Sequence, residues 1–287
     1  MLIENLKTVM VEVVLGCNLG CKHCPVPTFE QRLFGSRQRG TMSLTTFEKI
    51  LLQLPPACQI HLGVMGEPLL NPDIAEMSEM SSLVGHPTFL TSNATMLSGT
   101  LALKLKNTLD LMVLSIDGWG SSYEKMRPGS TWNTVHDNAV SFLKLPGRCS
   151  VNIAQIDSAL TLEDNMNSKT YWENLGAKVF RLPLDDYCGQ LKMPEYLGFL
   201  GGMRKHDKQR TPCELIQRCM HVTIEGRAFP CCHDLSTSSI FARGIDDEGG
   251  LRAAWEEDFE VLRDRHRLGN FPFPCSSCSL TMERGKT

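Results

Sequence analysis

The sequence lacks the features that would take it out of the ordinary globular proteins. No stretch approaches the roughly 18 apolar residues that a membrane span needs. The opening Met1-Leu2-Ile3-Glu4-Asn5-Leu6-Lys7 has an early acid and no apolar run, so it does not read as a targeting signal. There is no surplus of positive charge: the formal net charge of -3 excludes a generally basic nucleic-acid binder. There is no low-complexity tract, and no internal repeat beyond an alternation of strands and helices. Hydrophobic residues make up 42% and charged residues 21%, which excludes a disordered chain. The expectation is a cytoplasmic protein, with neither membrane nor nucleic acid among its partners. At 287 residues it holds one large domain, or one large and one small.

What the chain does have is cysteine, at twelve positions. A secreted disulfide scaffold would be shorter and denser in Cys. Twelve cysteines in a chain of this size, several closely spaced, point to metal or iron–sulfur ligation in a reducing compartment.

The first two thirds alternate strands with helices. Val9 to Leu15, Ile60 to Val64, Pro87 to Thr91, Leu111 to Ile116, Val151 to Ile156 and Lys178 to Leu182 read as six strands. Helices fall between them: one capped by Ser43, one beginning at Pro72, one over Leu101 to Leu109, one after Ser130 and one over Leu162 to Leu175 ending at Gly176. This order implies a parallel sheet with crossover helices, and apolar strands suited to burial on both faces. Periodicity alone leaves an open sheet and a barrel equally available. Asp185 to Pro212 reads as a connector. Beyond it, Met220 to Ile224 and Ala228 to Pro230 flank the turn pair Glu225-Gly226 as a hairpin, and a helix near Leu251 to Arg267 carries Leu251, Trp255, Phe259 and Leu262 on one face.

Cys17, Cys21 and Cys24 form C-x-x-x-C-x-x-C directly after the first strand. Three thiolates from one tight loop can ligate three irons of a four-iron cluster and leave the fourth open to a small chelating molecule. In a parallel barrel such a loop lies at the C-terminal ends of the strands, where active sites sit. The competing reading is a zinc knot with His23 as fourth ligand. Zinc sites usually come as C-x-x-C pairs with four protein ligands, so the spacing fits zinc poorly.

Gly16-Cys17-Asn18-Leu19-Gly20-Cys21-Lys22-His23-Cys24 resembles the signature of radical S-adenosylmethionine enzymes, with His23 where an aromatic usually stands. The resemblance extends over about residues 8 to 182. Gly66-Glu67-Pro68 is similar to the family's G-G-E-P segment, with Met65 in place of the first Gly. Asn93, in Thr91-Ser92-Asn93, is similar to its T-N-G segment, shifted by Ser92. Ser115-Ile116-Asp117-Gly118, followed by Tyr123 and Arg127, is similar to its S-x-D-G…Y-x-x-x-R run. The resemblance implies a partial parallel (β/α)6 TIM-like barrel. It implies a 4Fe-4S cluster on Cys17, Cys21 and Cys24, and S-adenosyl-L-methionine held by Gly66, Glu67, Pro68, Asn93, Ser115, Asp117 and Arg127. Reductive cleavage of that cofactor gives a 5′-deoxyadenosyl radical that abstracts a substrate hydrogen atom, with flavodoxin or ferredoxin as electron donor. Taken singly, each segment other than the cysteine loop is an ordinary turn or a surface charge.

Cys213, Cys231, Cys275 and Cys278 form a second set, with Cys232 as an alternative to Cys231. Four thiolates from a hairpin and a C-terminal loop can close a complete cluster, or a zinc knot. The set resembles the SPASM or twitch extension of the same family. With six cysteines after residue 200, it fits the shorter twitch version, which carries one auxiliary 4Fe-4S cluster. The implied division is a radical S-adenosylmethionine core over 1–204 and a small α+β cluster-binding domain over 205–287.

Cys58, Cys149, Cys188, Cys219 and Cys232 remain, most of them expected to be inert core residues. Cys188, after the sixth strand, is a candidate hydrogen donor to a substrate radical. Asp185, Asp186 and Tyr187 share its loop and are candidate bases. The spacing looks most like that of aminocyclitol-oxidising members, so oxidation of a carbohydrate or aminocyclitol is the expected reaction. The alternatives are modification of a peptide or protein side chain, and a non-catalytic cluster or zinc protein. The absence of a leader-peptide recognition domain before residue 8 weighs against the peptide reading.

Overall fold

Val9, Val11, Ile60, Leu62, Leu90, Met112, Leu114 and Ile153 are fully buried, and within each strand they recur at every second position. That period of two places them on one face of a sheet. The structure is a computed structural model that describes residues 3, 5–27, 34–35, 37–198, 210–235 and 243–278. Its strands are β1 (Thr8–Val11), β2 (Val14–Leu15), β3 (Gly40–Thr41), β4 (Gln59–Leu62), β5 (Thr88–Ser92), β6 (Leu111–Ser115), β7 (Ser150–Asp157), β8 (Lys178–Pro183), β9 (Cys219–Val222) and β10 (Ala228–Phe229). The main sheet runs β10-β9-β1-β4-β5-β6-β7-β8. All its pairs are parallel except β9 with β10. This is the sheet of a partial (β/α) barrel.

Helices α1 (Leu44–Leu51), α2 (Ile74–Leu83), α3 (Gly99–Thr108), α4 (Ser121–Met126), α5 (Trp132–Lys144) and α6 (Leu162–Asn174) fill the crossovers. Phe47 and Ile50 of α1, Met77 of α2, Leu105 of α3, Val135 and Phe142 of α5 and Trp172 of α6 join the buried strand face in one core. The other strand face differs from the expectation of burial on both sides. Met10, His61, Phe89, Val113 and Asn152 are only half-buried. They line the inside of a barrel that does not close, so solvent reaches them.

Two boundaries also differ. The first strand breaks at Glu12 and Val13, because its partners change there. The Glu12 N–H donates to Val222 O (2.8 Å), while Val13 O accepts from Met42 N (2.9 Å) and from the Asn71 side chain (2.9 Å). The second helix begins at Ile74 rather than Pro72, since the Asn71 side chain accepts from Asp73 N (2.9 Å) and closes a turn first.

The expected hairpin forms, turning at Gly226 (φ +81°), and its strand β9 pairs with β1 in the main sheet. The C-terminal helix runs as α7 (Gly250–Ala253), a π-helical segment (Ala254–Asp258) and α8 (Phe259–Arg267). Leu251, Trp255 and Phe259 pack into the core of the barrel. The expected boundary at 204/205 lies outside the described residues.

Candidate active site and auxiliary cysteine site

The cysteine loop leaves β2 at Gly16 and is held from two sides. Gly66 (φ +105°) lies against it so closely that a Cβ would sit 2.3 Å from Gly16 O and 2.8 Å from Val14 O. Glu67 N donates to Gly16 O (2.8 Å). From the other side, Gly20 N donates to Pro128 O (2.6 Å). Cys17, Cys21 and Cys24 are all free thiols in this loop. The Leu19 N–H donates to Cys17 Sγ (3.4 Å), a contact that favours a thiolate. Burial pushes the Cys24 thiol up to about 12 and also raises Cys17 and Cys21. Three uncrosslinked sulfurs on one loop, with a backbone N–H already aimed at one of them, fit a cluster that supplies the positive charge their ionisation needs. His23 is buried, its Nδ1 has no hydrogen-bond partner, and burial followed by the Arg127 charge lowers it to about 4.

The strand ends bring the other expected residues to the same rim. Glu67 is buried and its carboxylate accepts from Leu69 N (3.1 Å), Ser92 Oγ (2.8 Å) and Asn93 N (2.7 Å). It therefore fastens the loop after β4 to the end of β5. Pro68 opens the short turn that follows, and Glu67 caps it. The Asn93 amide donates to Asn18 Oδ1 (2.9 Å), and its oxygen accepts from Thr95 N (3.0 Å) and Oγ1 (2.7 Å). Ser115 ends β6, half-buried. Asp117 is fully buried and accepts from Arg127 Nε (2.6 Å) and Ile156 N (2.5 Å). Burial opposes charge on Arg127, but Asp117 and then Cys21 outweigh it and hold the guanidinium charged beside the cysteine loop.

The second cysteine set comes together from separate segments. Burial, and then the neighbouring Cys231, Cys278 and Cys213, push the Cys275 thiol up to about 12. The His233 N–H donates to Cys231 Sγ (3.3 Å). Arg210 Nη1 donates to Cys275 O (2.9 Å) and Cys278 O (3.2 Å), fixing the C-x-x-C turn. Cys213 N donates to His266 Nδ1 (3.2 Å), and Arg263 Nε donates to Ile216 O (2.9 Å), so α8 places Cys213. A hydrogen bond between the two thiols raises Cys231 and lowers Cys232, so both sulfurs lie at this end of the hairpin.

Sequence reasoning missed Arg210, Arg263 and His266, whose role is to support the cysteines. It also missed Asn18, Thr95 and Asn165, the last accepting from Gly118 N (2.7 Å). Asn18 lies inside the cysteine motif at a position the motif leaves open, and the others carry no motif. Nor did sequence reasoning foresee the neighbours of Cys188, which follows β8. Cys188 lies with His233 and Cys278, their donor atoms all within 4.8 Å of one another. Tyr187 and Cys24 of the first loop pack against the same apolar cluster, and burial followed by Cys24 and Cys232 raises the Tyr187 hydroxyl.

A sequence model of the Radical SAM superfamily matches residues 11–154. An S-adenosylmethionine-dependent nucleotide dehydratase from Flammeovirga pacifica is 30% identical over 130 residues, 45% of this chain and 44% of that protein. The chain thus matches less than half the length of that relative. Among solved structures, BtrN with AdoMet and 2-DOIA has a TM-score of 0.61 at 18% identity, covering 96% of this chain and 93% of that one. SuiB of Streptococcus suis, bound to precursor peptide SuiA, has a TM-score of 0.69 at 14% identity, covering 91% and 67%. The enzyme anSMEcpe with bound AdoMet has a TM-score of 0.63 at 16% identity, covering 96% and 84%. Among the described residues no helix is long and apolar enough to cross a membrane.

Proposed function

The chain belongs to the radical SAM superfamily, and from that membership we propose that it modifies a peptide or protein side chain, using a second, auxiliary cluster. When bound, the cluster and S-adenosylmethionine supply reductive cleavage of the cofactor and a 5′-deoxyadenosyl radical able to abstract a hydrogen atom. Cys17, Cys21 and Cys24 hold three irons in this reading. The loop of Gly66, Glu67 and Pro68, together with Asn93 and Ser115, forms the wall for the cofactor. Arg127, oriented by Asp117, presents a planar cation to the cofactor's carboxylate. Cys213, Cys231, Cys275 and Cys278 would hold the auxiliary cluster, which would supply an electron acceptor or an iron for substrate binding. The initiating electron comes from a donor of the flavodoxin or ferredoxin kind.

The observation that carries the peptide reading is fold agreement. Of the structures compared above, the highest TM-score belongs to SuiB, solved with its precursor peptide. A second reading, oxidation of an aminocyclitol or carbohydrate, draws on the near end-to-end match with BtrN and on the single auxiliary set of four cysteines.

The test is anaerobic reconstitution with iron and sulfide, reduction, and assay for 5′-deoxyadenosine. The expected product is absent from the Cys17/Cys21/Cys24→Ala variant, and its absence from the wild-type chain would overturn the enzyme class. Deuterated peptides and deuterated aminocyclitols then separate the two substrate readings. Label transfer into 5′-deoxyadenosine from the sugar alone would reject the peptide reading.

A further inference from the structure

The loop after β8 is held in an unusual conformation. Tyr187 (φ +51°), Cys188 (φ +62°) and Gly189 (φ +82°) are consecutive left-handed residues. For a non-glycine residue that geometry is strained and persists only where the surroundings enforce it. Here Tyr187 N donates to Asp185 Oδ1 (2.7 Å) and Leu191 N to Asp186 O (3.0 Å). The Gln190 side-chain amide donates to both Tyr187 O (2.6 Å) and His233 O (2.5 Å), tying the loop to the hairpin.

The result is a meeting of three distant segments. Buried Cys188, half-buried His233 and buried Cys278 place one donor atom each within 4.8 Å of the others. His233 Nε2 lies 3.1 Å from Asp185 Oδ2. Its other ring nitrogen, Nδ1, is buried with no hydrogen-bond partner. A carboxylate on one imidazole nitrogen, with the other left for a ligand, is the usual arrangement of a metal-binding histidine. All three donor atoms lie close enough to one another to serve a single ion. Sulfur and nitrogen ligands at about 2.3 and 2.0 Å from one tetrahedral ion stand about 3.5 Å apart. Cysteines of a four-iron cluster each bind a different iron and stand farther apart.

We propose that Cys188, His233 and Cys278 form a site for a single thiophilic divalent cation, zinc or ferrous iron, with Asp185 orienting the imidazole and a fourth position open. Cys278 is shared with the auxiliary set, since a thiolate sulfur has lone pairs enough to bridge two metals. The ion pins the loop bearing Tyr187, which packs against the same apolar cluster as Cys24, and so ties the C-terminal cysteines to the rim of the barrel. Cys188 is then a ligand and not a hydrogen donor.

Cobalt(II) is the probe, titrated anaerobically into the metal-free full chain carrying Cys17/Cys21/Cys24→Ala together with Cys213→Ala and Cys275→Ala, which removes both other thiolate sets. We expect one cobalt per chain with tetrahedral thiolate bands. Cys188→Ser and His233→Ala each weaken binding at least tenfold, and Asp185→Asn weakens it about 10- to 100-fold without removing a ligand. Absent bands in this background, or bands that survive Cys188→Ser and Asp185→Asn unchanged, overturn the proposal. Circular dichroism of each variant separates lost binding from lost fold. Iron and sulfide retained after reconstitution of the Cys17/Cys21/Cys24→Ala chain report separately on the auxiliary cluster.

Discussion

Asp117 and Arg127 show how one residue pair serves both fold and site. Both are buried and joined at 2.6 Å, with Ile156 N as the other donor to Asp117. Removing one partner of such a pair leaves a buried charge uncompensated, at a cost of about 3–5 kcal/mol. Asp117→Ala should therefore lower the urea midpoint of the metal-free chain by that much free energy, with Asp117→Asn costing less. A midpoint unchanged in Asp117→Ala would place Arg127 in solvent. The cysteines outside the two sets give a second prediction. Burial raises Cys58 to about 12 and Cys149 to about 11. A raised thiol pKa keeps the neutral form, so at pH 8 their thiolate fraction falls roughly a hundredfold or more below that of an ordinary cysteine. Mass spectrometry should show both alkylated far more slowly by iodoacetamide in the native chain than in urea, with the native rate rising as pH climbs toward 11. Equal native and unfolded rates at pH 8 would contradict their inertness.

At the scale of elements, the site is a set of loops seated on one another. Gly66 is where the loop after β4 meets the loop before Cys17, and its positive φ and missing Cβ are both required. Gly66→Ala should separate the two loops. It is expected to cut S-adenosylmethionine binding at least tenfold by equilibrium dialysis, with little change in far-ultraviolet dichroism. Wild-type affinity in that variant would show that the loop tolerates the shift. Strands β4 to β7 and helices α2, α3 and α5 were legible from apolar runs and cap residues, whereas the short α4 was not. The break at Glu12–Val13 was not, because it depends on Val222, Met42 and Asn71, all far away in sequence. The half-buried inner strand face was not legible either, since an apolar strand reads the same against a helix as against an open barrel.

At the scale of the molecule, the hairpin strand β9 covers the edge of β1. Without it, Thr8–Val11 would present an unpaired edge beside the apolar core. A fragment ending at Gly198 should therefore aggregate when expressed alone, as judged by light scattering and gel filtration. A soluble folded monomer would show that the parallel sheet is self-sufficient at that edge. The same pairing carries Cys231 and His233 toward the loop after β8, so closing the edge and assembling the second cysteine site are one event.

The sequence by itself determined the strand–helix alternation, the three-cysteine loop behind the first strand and the family to which these point. Those features are local: a period, a spacing, a turn residue. Only the tertiary structure decided that β9 joins the main sheet, that Glu67 and Asp117 spend their carboxylates on neighbouring strand ends, and that Cys188 meets His233 and Cys278. Each of these depends on contacts between segments distant in the chain, and such contacts leave no period or spacing to read.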